Sequence, residues 1–258
     1  MKSLSNRKGA EPAKRVILEF MRLVASRLCV FAVQVVLFLA AGSAAGGEVE
    51  WKLLQDQAQA HLERGAYGQA EQFGRSAVKE AEALGPSHAG IEQSLSTLSL
   101  ALRFQSRNAE ALKLAQRLVE IRTRRYGPDE ASTGIALYNT AAILMALDRY
   151  AEAEKIQASA LAVFEKKLGP VHQNTASAMH NMGAIQLKQG KYKEAEKYLR
   201  RALAAKEKAL SRGNLSIAHT LEALAAALDG QGRQLEAEKF KKRGEAMRQR
   251  AQAQKAGA

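Results

Sequence analysis

Along most of the chain, apolar and small residues recur three or four positions apart with charged residues between them. In the stretch YKEAEKYLRRAL, Tyr192, Ala195, Leu199, Ala202 and Leu203 fall on one stripe, while Lys193, Glu194, Glu196, Lys197, Arg200 and Arg201 occupy the other positions. That period predicts an amphipathic helix with a single buried face. Glu196 precedes Arg200 by four residues, an order that contributes about 0.3 kcal/mol on an exposed helix. Alternating Val/Ile/Thr/Tyr segments with hairpin turns are missing, so the predicted class is all-helical.

The pattern repeats. Leu84-Gly-Pro, Tyr126-Gly-Pro and Leu168-Gly-Pro stand 42 residues apart, and one further step reaches Leu210, where LSRGN replaces the turn. Ala111, Ala153, Ala195 and Ala237 keep the same step within NAEALKL, YAEAEKI, YKEAEKY and QLEAEKF; an earlier copy, YGQAEQF at Tyr67, is one residue out of phase. A fixed period of this length predicts an array of units that bury their faces against one another. Each unit reads as two helices. The first starts after the Gly-Pro turn, and a short polar break such as RFQSR, MALDR or LKQGK precedes the second, which forces an antiparallel pair. Five pairs are predicted at about 48–83, 88–125, 129–167, 171–209 and 215–250, giving an array over 48–250 and a disordered tail over 251–258. Gly183, with Ser99, Ala141 and Ala225 at equivalent positions, is expected to meet the small residue of the second helix so that the backbones approach closely.

The segment LCVFAVQVVLFLAAGSAAGG, Leu28 to Gly47, breaks the pattern with an almost uninterrupted apolar run preceded by Arg22 and Arg27. It reads as an export signal over residues 1–45, with Ser43 and Ala45 satisfying the small-x-small cleavage rule and Met21 offering an alternative start that gives ordinary signal proportions. The rival reading is an uncleaved anchor, since about 20 apolar residues span a bilayer. In either case the repeats are expected outside the cytoplasm, as a periplasmic or secreted protein or on a single-pass inner-membrane anchor. Cys29 is the sole cysteine and lies in this segment, so disulfides and cysteine chemistry are excluded from a mature chain.

Composition adds one question. The net charge of +13 over 258 residues sits mostly at the two ends, up to Arg27 and from Lys239 onward. A basic leader fits membrane targeting, and no basic stripe interleaved with aromatics supports nucleic-acid binding, which is disfavoured and confined to Lys239 to Lys255.

The segment NMGAIQLKQGKYKEAEKYLRRAL, Asn181 to Leu203, resembles the tetratricopeptide repeat in Gly183, Gly190, Tyr192, Ala195, Leu199 and Ala202. The 42-residue step and the LGPVH turn resemble the kinesin-light-chain subclass. The resemblance covers about 48–245 and implies a right-handed α-solenoid of antiparallel helix pairs, a superhelix whose first helices line the concave surface. It also implies that Asn139 and Asn181 match the position of an asparagine that holds a bound peptide's backbone, an amide being able both to donate and to accept. The equivalent positions hold Asp56, Thr97 and Ala223. Tyr138, His180 and Lys188 are the neighbouring peptide-binding candidates. The dicarboxylate clamp of chaperone-tail-binding relatives is not evident, because Arg103 and Lys188 are the only cations on the first helices of the second to fourth units.

Enzyme chemistry finds no support. His88 and His172 are equivalent turn residues with an expected structural role, and His61, His180 and His219 lack partners at zinc spacing. Nucleophile elbows, phosphate-binding loops and dinucleotide fingerprints are absent. The expectation is a non-enzymatic interaction scaffold or adaptor with no catalytic, metal or cofactor residues and no small-molecule substrate, binding a peptide segment of a partner on its concave face. The alternative is a membrane-anchored structural subunit of an envelope assembly.

Overall fold

The computed structural model describes residues 44–210 and 214–256, which form ten helices and no strand. They alternate as first and second helices. The first unit is α1 (Ala44–Glu63) with α2 (Tyr67–Ala83), and the second α3 (Gly90–Phe104) with α4 (Asn108–Tyr126). Then follow α5 (Ala131–Ala146) with α6 (Tyr150–Leu168), α7 (Gln173–Lys188) with α8 (Tyr192–Ala209), and α9 (Leu215–Asp229) with α10 (Gln234–Ala256). The leader through Ser43, and with it the export segment and the Met21 start, lies outside the described residues. None of the described helices is long and apolar enough to cross a membrane. Residues 251–256, read from sequence as tail, continue α10 as helix. Alanine, glutamine and lysine there are good helix formers, and no proline or glycine interrupts them before Gly257.

The turn inside every unit has one geometry. Ser106 N–H donates to the Arg103 carbonyl and Arg107 N–H to that of Leu102; the same pair of bonds recurs around Gly65, Asp148, Gly190 and Gly232. This is the Schellman closure, and it requires a left-handed residue at its corner. Gly65, Gly190 and Gly232 have φ between 74° and 76°, but Ser106 (61°) and Asp148 (58°) hold the same conformation with a side chain. Between units, Gly85, Gly127 and Gly169 also take positive φ before each proline. The next helix is then capped from the turn: His172 Nδ1 accepts from Asn174 N–H at 3.1 Å, Asn214 Oδ1 from Ser216 N–H at 2.9 Å, and His88 Nδ1 from Gly90 N–H at 3.1 Å. His88 therefore carries its proton on Nε2, which faces a Glu48 carboxylate oxygen at 2.7 Å. Both turn histidines are structural.

Small residues set the packing distance inside a unit. Ala111, Ala153 and Ala195 are fully buried, and a Cβ on Gly183 would stand 2.5 Å from Leu199 Cγ. In the second unit, where Ser99 replaces that glycine, its hydroxyl instead donates to the Ala111 carbonyl at 3.1 Å.

Charges that look solvated in sequence tie successive units together. Glu196 does accept from Arg200 at 2.8 Å, but its other oxygen takes Gln231 at 2.8 Å and Arg233 at 2.7 Å from the next unit. Glu71 is held in the same way by Gln105 and Arg107, and Glu154 by Gln189 and Lys191. Burial opposes ionisation of Glu196, yet donors from Gln231, Arg200 and Arg233 outweigh it and hold the carboxyl below its ordinary range.

Successive first helices touch one another in the pairs α1 with α3, α5 with α7, and α7 with α9. Successive second helices make no comparable contact among the described residues. The first helices are thus the closer-spaced side, and the array curves around them.

Candidate functional site

On that inner side, α5 and α7 frame a half-open groove of about 230 Å³ lined by Ile135, Tyr138, Asn139, Phe164, Asn174 and Ser177. Phe164 from α6 is its buried floor, with the Tyr138 ring 6.4 Å away centroid to centroid. Ile135 stays exposed at 40% although its helix is otherwise well packed, so the groove offers an apolar contact beside polar groups.

Tyr138 and Asn181 come near one another across α5 and α7, where the Asn181 amide acts on the phenol. Burial pushes the phenol up from its ordinary value, against the Asn181 amide and the nearby Arg103 charge, so the ring stays neutral throughout the physiological range. Asn139 borders both this groove and the α3–α5 seam, where Ser96, Leu100 and Arg103 lie across from it. Arg103 makes no ion pair among the described residues; its Nε is buried without a hydrogen-bond partner and its guanidinium lies 4.9 Å from the Phe104 ring centroid.

The asparagine positions do not continue outward as open amides. Thr97 accepts from Gln55 at 2.9 Å and donates to the Gln93 carbonyl at 3.1 Å, while Asp56 pairs with Lys52 at 3.0 Å. His180 faces the following unit, its Nδ1 3.1 Å from Thr220 Oγ1. Burial, and then the charges of Lys206 and His219, hold it down to about 3, so it is neutral at physiological pH. Lys188 is exposed at the end of α7, two turns beyond Asn181.

Ile135, Phe164, Asn174 and Ser177 are the groove residues that sequence reasoning passes over. The 42-residue step could have found Ser177 and Asn174, which stand on the same helix stripe as Asn181. Phe164 reads as ordinary core until the neighbouring first helices are placed. A larger depression of about 630 Å³, lined by Glu82, Pro86, Ser87, Ile91, Arg117, Ile121, Arg124 and Arg125, has its arginines engaged already. Arg117 meets Glu82 at 2.6 Å, Arg125 meets Glu92 and the Ser87 carbonyl at 2.6 Å each, and Arg124 lies 4.0 Å from Glu120. Among the described residues, no group of three or more His, Cys, Asp or Glu side chains is placed to hold a metal ion.

Two tetratricopeptide-repeat family models match the chain, over residues 93–129 and 132–208. Those two stretches are tetratricopeptide repeats, and the described helices share the fold of kinesin-light-chain-like repeat structures. Solved structures share the fold at low identity. BtubC (BKLC) from P. vanneervenii superimposes with a TM-score of 0.69 at 19% identity, over 84% of this chain and 91% of that one. A Podosopora anserina putative kinesin light chain of nearly identical TPR-like repeats gives 0.65 at 20% identity, over 78% and 96%. A Rap protein complexed with competence and sporulation factor gives 0.62 at 18% identity, over 78% of this chain and 55% of that one. No curated protein matches the sequence.

Proposed function

We propose that the protein is a non-enzymatic interaction scaffold that binds an extended peptide segment of a partner protein along its inner face, centred on α5 and α7. The observation that carries this reading is the groove itself: an exposed Ile135 over a Phe164 floor, bordered by Tyr138 and Asn139, with Asn181 near Tyr138. Amides pair with a peptide backbone without reading its sequence, and the apolar groove supplies selectivity. The Rap structure, solved with competence and sporulation factor, supports the reading as a case of this fold with a bound partner. We place the scaffold outside the cytoplasm, carried there by the apolar leader; the mass of the mature amino terminus tests that part.

Selection of peptides from a displayed library against the full chain tests the binding face. Each amide hydrogen bond contributes about 0.5–1.5 kcal/mol net, so Asn139→Ala with Asn181→Ala is expected to weaken selected peptides by roughly 5- to 160-fold while leaving the helical circular dichroism unchanged. Peptides that bind the double variant as tightly as the parent contradict the proposal.

A further inference from the structure

The larger depression, on the outer side between α2 and α4, has its arginines engaged unequally. Arg117 donates to Glu82 at 2.6 Å, joining α4 to α2, and Arg125 shares the single Glu92 carboxylate with Arg122, at 2.6 and 3.2 Å. Arg124 is left with its own helix. Its Nε reaches the Glu120 carbonyl at 3.4 Å and its Nη2 a Glu120 carboxylate oxygen at 4.0 Å, between side chains 76% and 70% exposed. Ion pairs so exposed contribute little, and most of the five guanidinium donors stay available to an incoming group. The lining holds three arginines against the one carboxylate of Glu82, with the buried Ile91 and with Ile121 as its apolar part.

The next unit contains the same depression with its charge satisfied. It lies between α4 and α6, has a volume of about 450 Å³, and is lined by Pro128, Asp129, Thr133, Val163 and Lys166 among others. These stand 42 residues beyond Pro86, Ser87, Ile91, Ile121 and Arg124, all of which line the first depression. In the later unit the turn itself supplies carboxylates: Asp129 accepts from Lys166 at 2.5 Å, and Glu130 from Lys167 beside it. At the earlier turn the same two positions hold Ser87 and His88, and His88 is committed to capping α3 and to Glu48. Arg124 and Ser87 therefore line one space of about 630 Å³ with no carboxylate at the place where Asp129 stands. That volume lies within the range that accepts small organic groups.

We propose that the α2–α4 depression binds a carboxylate carried on an aliphatic body, the chemistry presented by a chain terminus that ends in an aliphatic residue. The carboxylate occupies the place that Asp129 holds one unit further on and pairs with Arg124, while the aliphatic part lies against Ile91 and Ile121. A guanidinium meets a carboxylate through two parallel N–H bonds, so Arg124 orients the group as well as neutralising it. The site is on the outer side of the array and stands independently of segment binding at Asn139.

The test is NMR titration of the full chain with N-acetyl-leucine, N-acetyl-leucinamide and acetate at equal ionic strength, following backbone amides and arginine Nε signals. N-acetyl-leucine is expected to shift the signals of Ile91, Ile121 and Arg124. The amide lacks the charge and acetate lacks the aliphatic body, so each is expected to bind about tenfold more weakly. A peptide ending in leucine that binds tighter than N-acetyl-leucine assigns a chain terminus, and equal binding assigns a free organic acid. Arg124→Gln is expected to fold, because that side chain is largely exposed, and to weaken binding about tenfold. Ser87→Asp supplies the missing carboxylate from within and is expected to weaken binding at least as much, whereas Asn139→Ala leaves it unchanged. Binding to Ser87→Asp and Arg124→Gln as tight as to the parent, or N-acetyl-leucine shifts no larger than those of its amide, overturn the proposal.

Discussion

Replacing Lys206 by methionine is expected to stabilise the protein at neutral pH, and the size of the effect follows from burial. The ammonium is held down to about 8 from an ordinary 10.5 by desolvation alone. A difference of this size corresponds to about 3 kcal/mol between the protonation states, at 1.36 kcal/mol per unit. The sign follows from linkage. Below pH 8 both folded and unfolded chains carry the proton, and the folded state bears the whole desolvation cost. Between about 8 and 10.5 the unfolded chain binds more protons than the folded one, so stability rises with pH until the cost is gone. Methionine removes the charge along with the hydrogen bonds to Ser216 and Thr220, whose loss costs about 1 kcal/mol each. The net gain at pH 7 is therefore about 1 kcal/mol, and it vanishes or reverses above the ordinary lysine value. Urea unfolding of parent and variant across this range, in chloride buffer, measures the difference directly. A variant less stable than the parent at pH 7, or a difference that does not change between pH 7 and pH 11, refutes the reasoning.

Two further outcomes are expected. Glu196→Gln removes the charge that Arg200 and Arg233 share, costing about 1 kcal/mol because both arginines are partly exposed and their ion pairs are screened. Since the Glu196 carboxyl is depressed in the folded state, its contribution is present above the ordinary carboxylate value and lost as pH falls through the folded one, so parent and variant should converge in acid urea titrations. Ser106→Gly relieves a left-handed side chain and should stabilise by about 0.5–1 kcal/mol, while Gly190→Ala at the equivalent corner should destabilise by about 1 kcal/mol; thermal melts of the two variants check the pair.

Much of the fold was legible because the unit is written repeatedly. Three Gly-Pro turns and four aligned alanines fix the helix pairing, and the fully buried Ala195 and the tight Gly183–Leu199 approach are what small residues at those positions imply. The turn chemistry was less visible, because Ser106 and Asp148 carry a conformation that glycine announces elsewhere. Glu196 read as an in-helix partner of Arg200, and so it is, but Gln231 and Arg233 lie one unit away and only stacking brings them to it. The recurring combination of Gln with a basic residue two positions later, at 105, 189 and 231, is the signal that could have disclosed the clamp.

The candidate site was visible only in outline. Asn139 and Asn181 stand out as a pair one period apart, yet the groove between them depends on Ile135 remaining exposed and on Phe164 reaching in from a second helix. His180 looked like a concave contact, and its ring instead joins α7 to α9 through Thr220. Lys206 sits in a run of charges, AAKEKA, that reads as a solvated face. Its burial follows from the approach of α9, which the local pattern does not encode.

The most direct test of the inner-face account is photo-crosslinking with a selected peptide, placing the reactive group at Ile135 in one variant and at Leu235 in another. Both side chains are exposed, at 40% and 87%, but Ile135 lines the inner groove and Leu235 lies on the final second helix. Crosslinking at Ile135 that free peptide competes away, with none at Leu235, is the predicted result. Crosslinking at Leu235 with none at Ile135 contradicts the account.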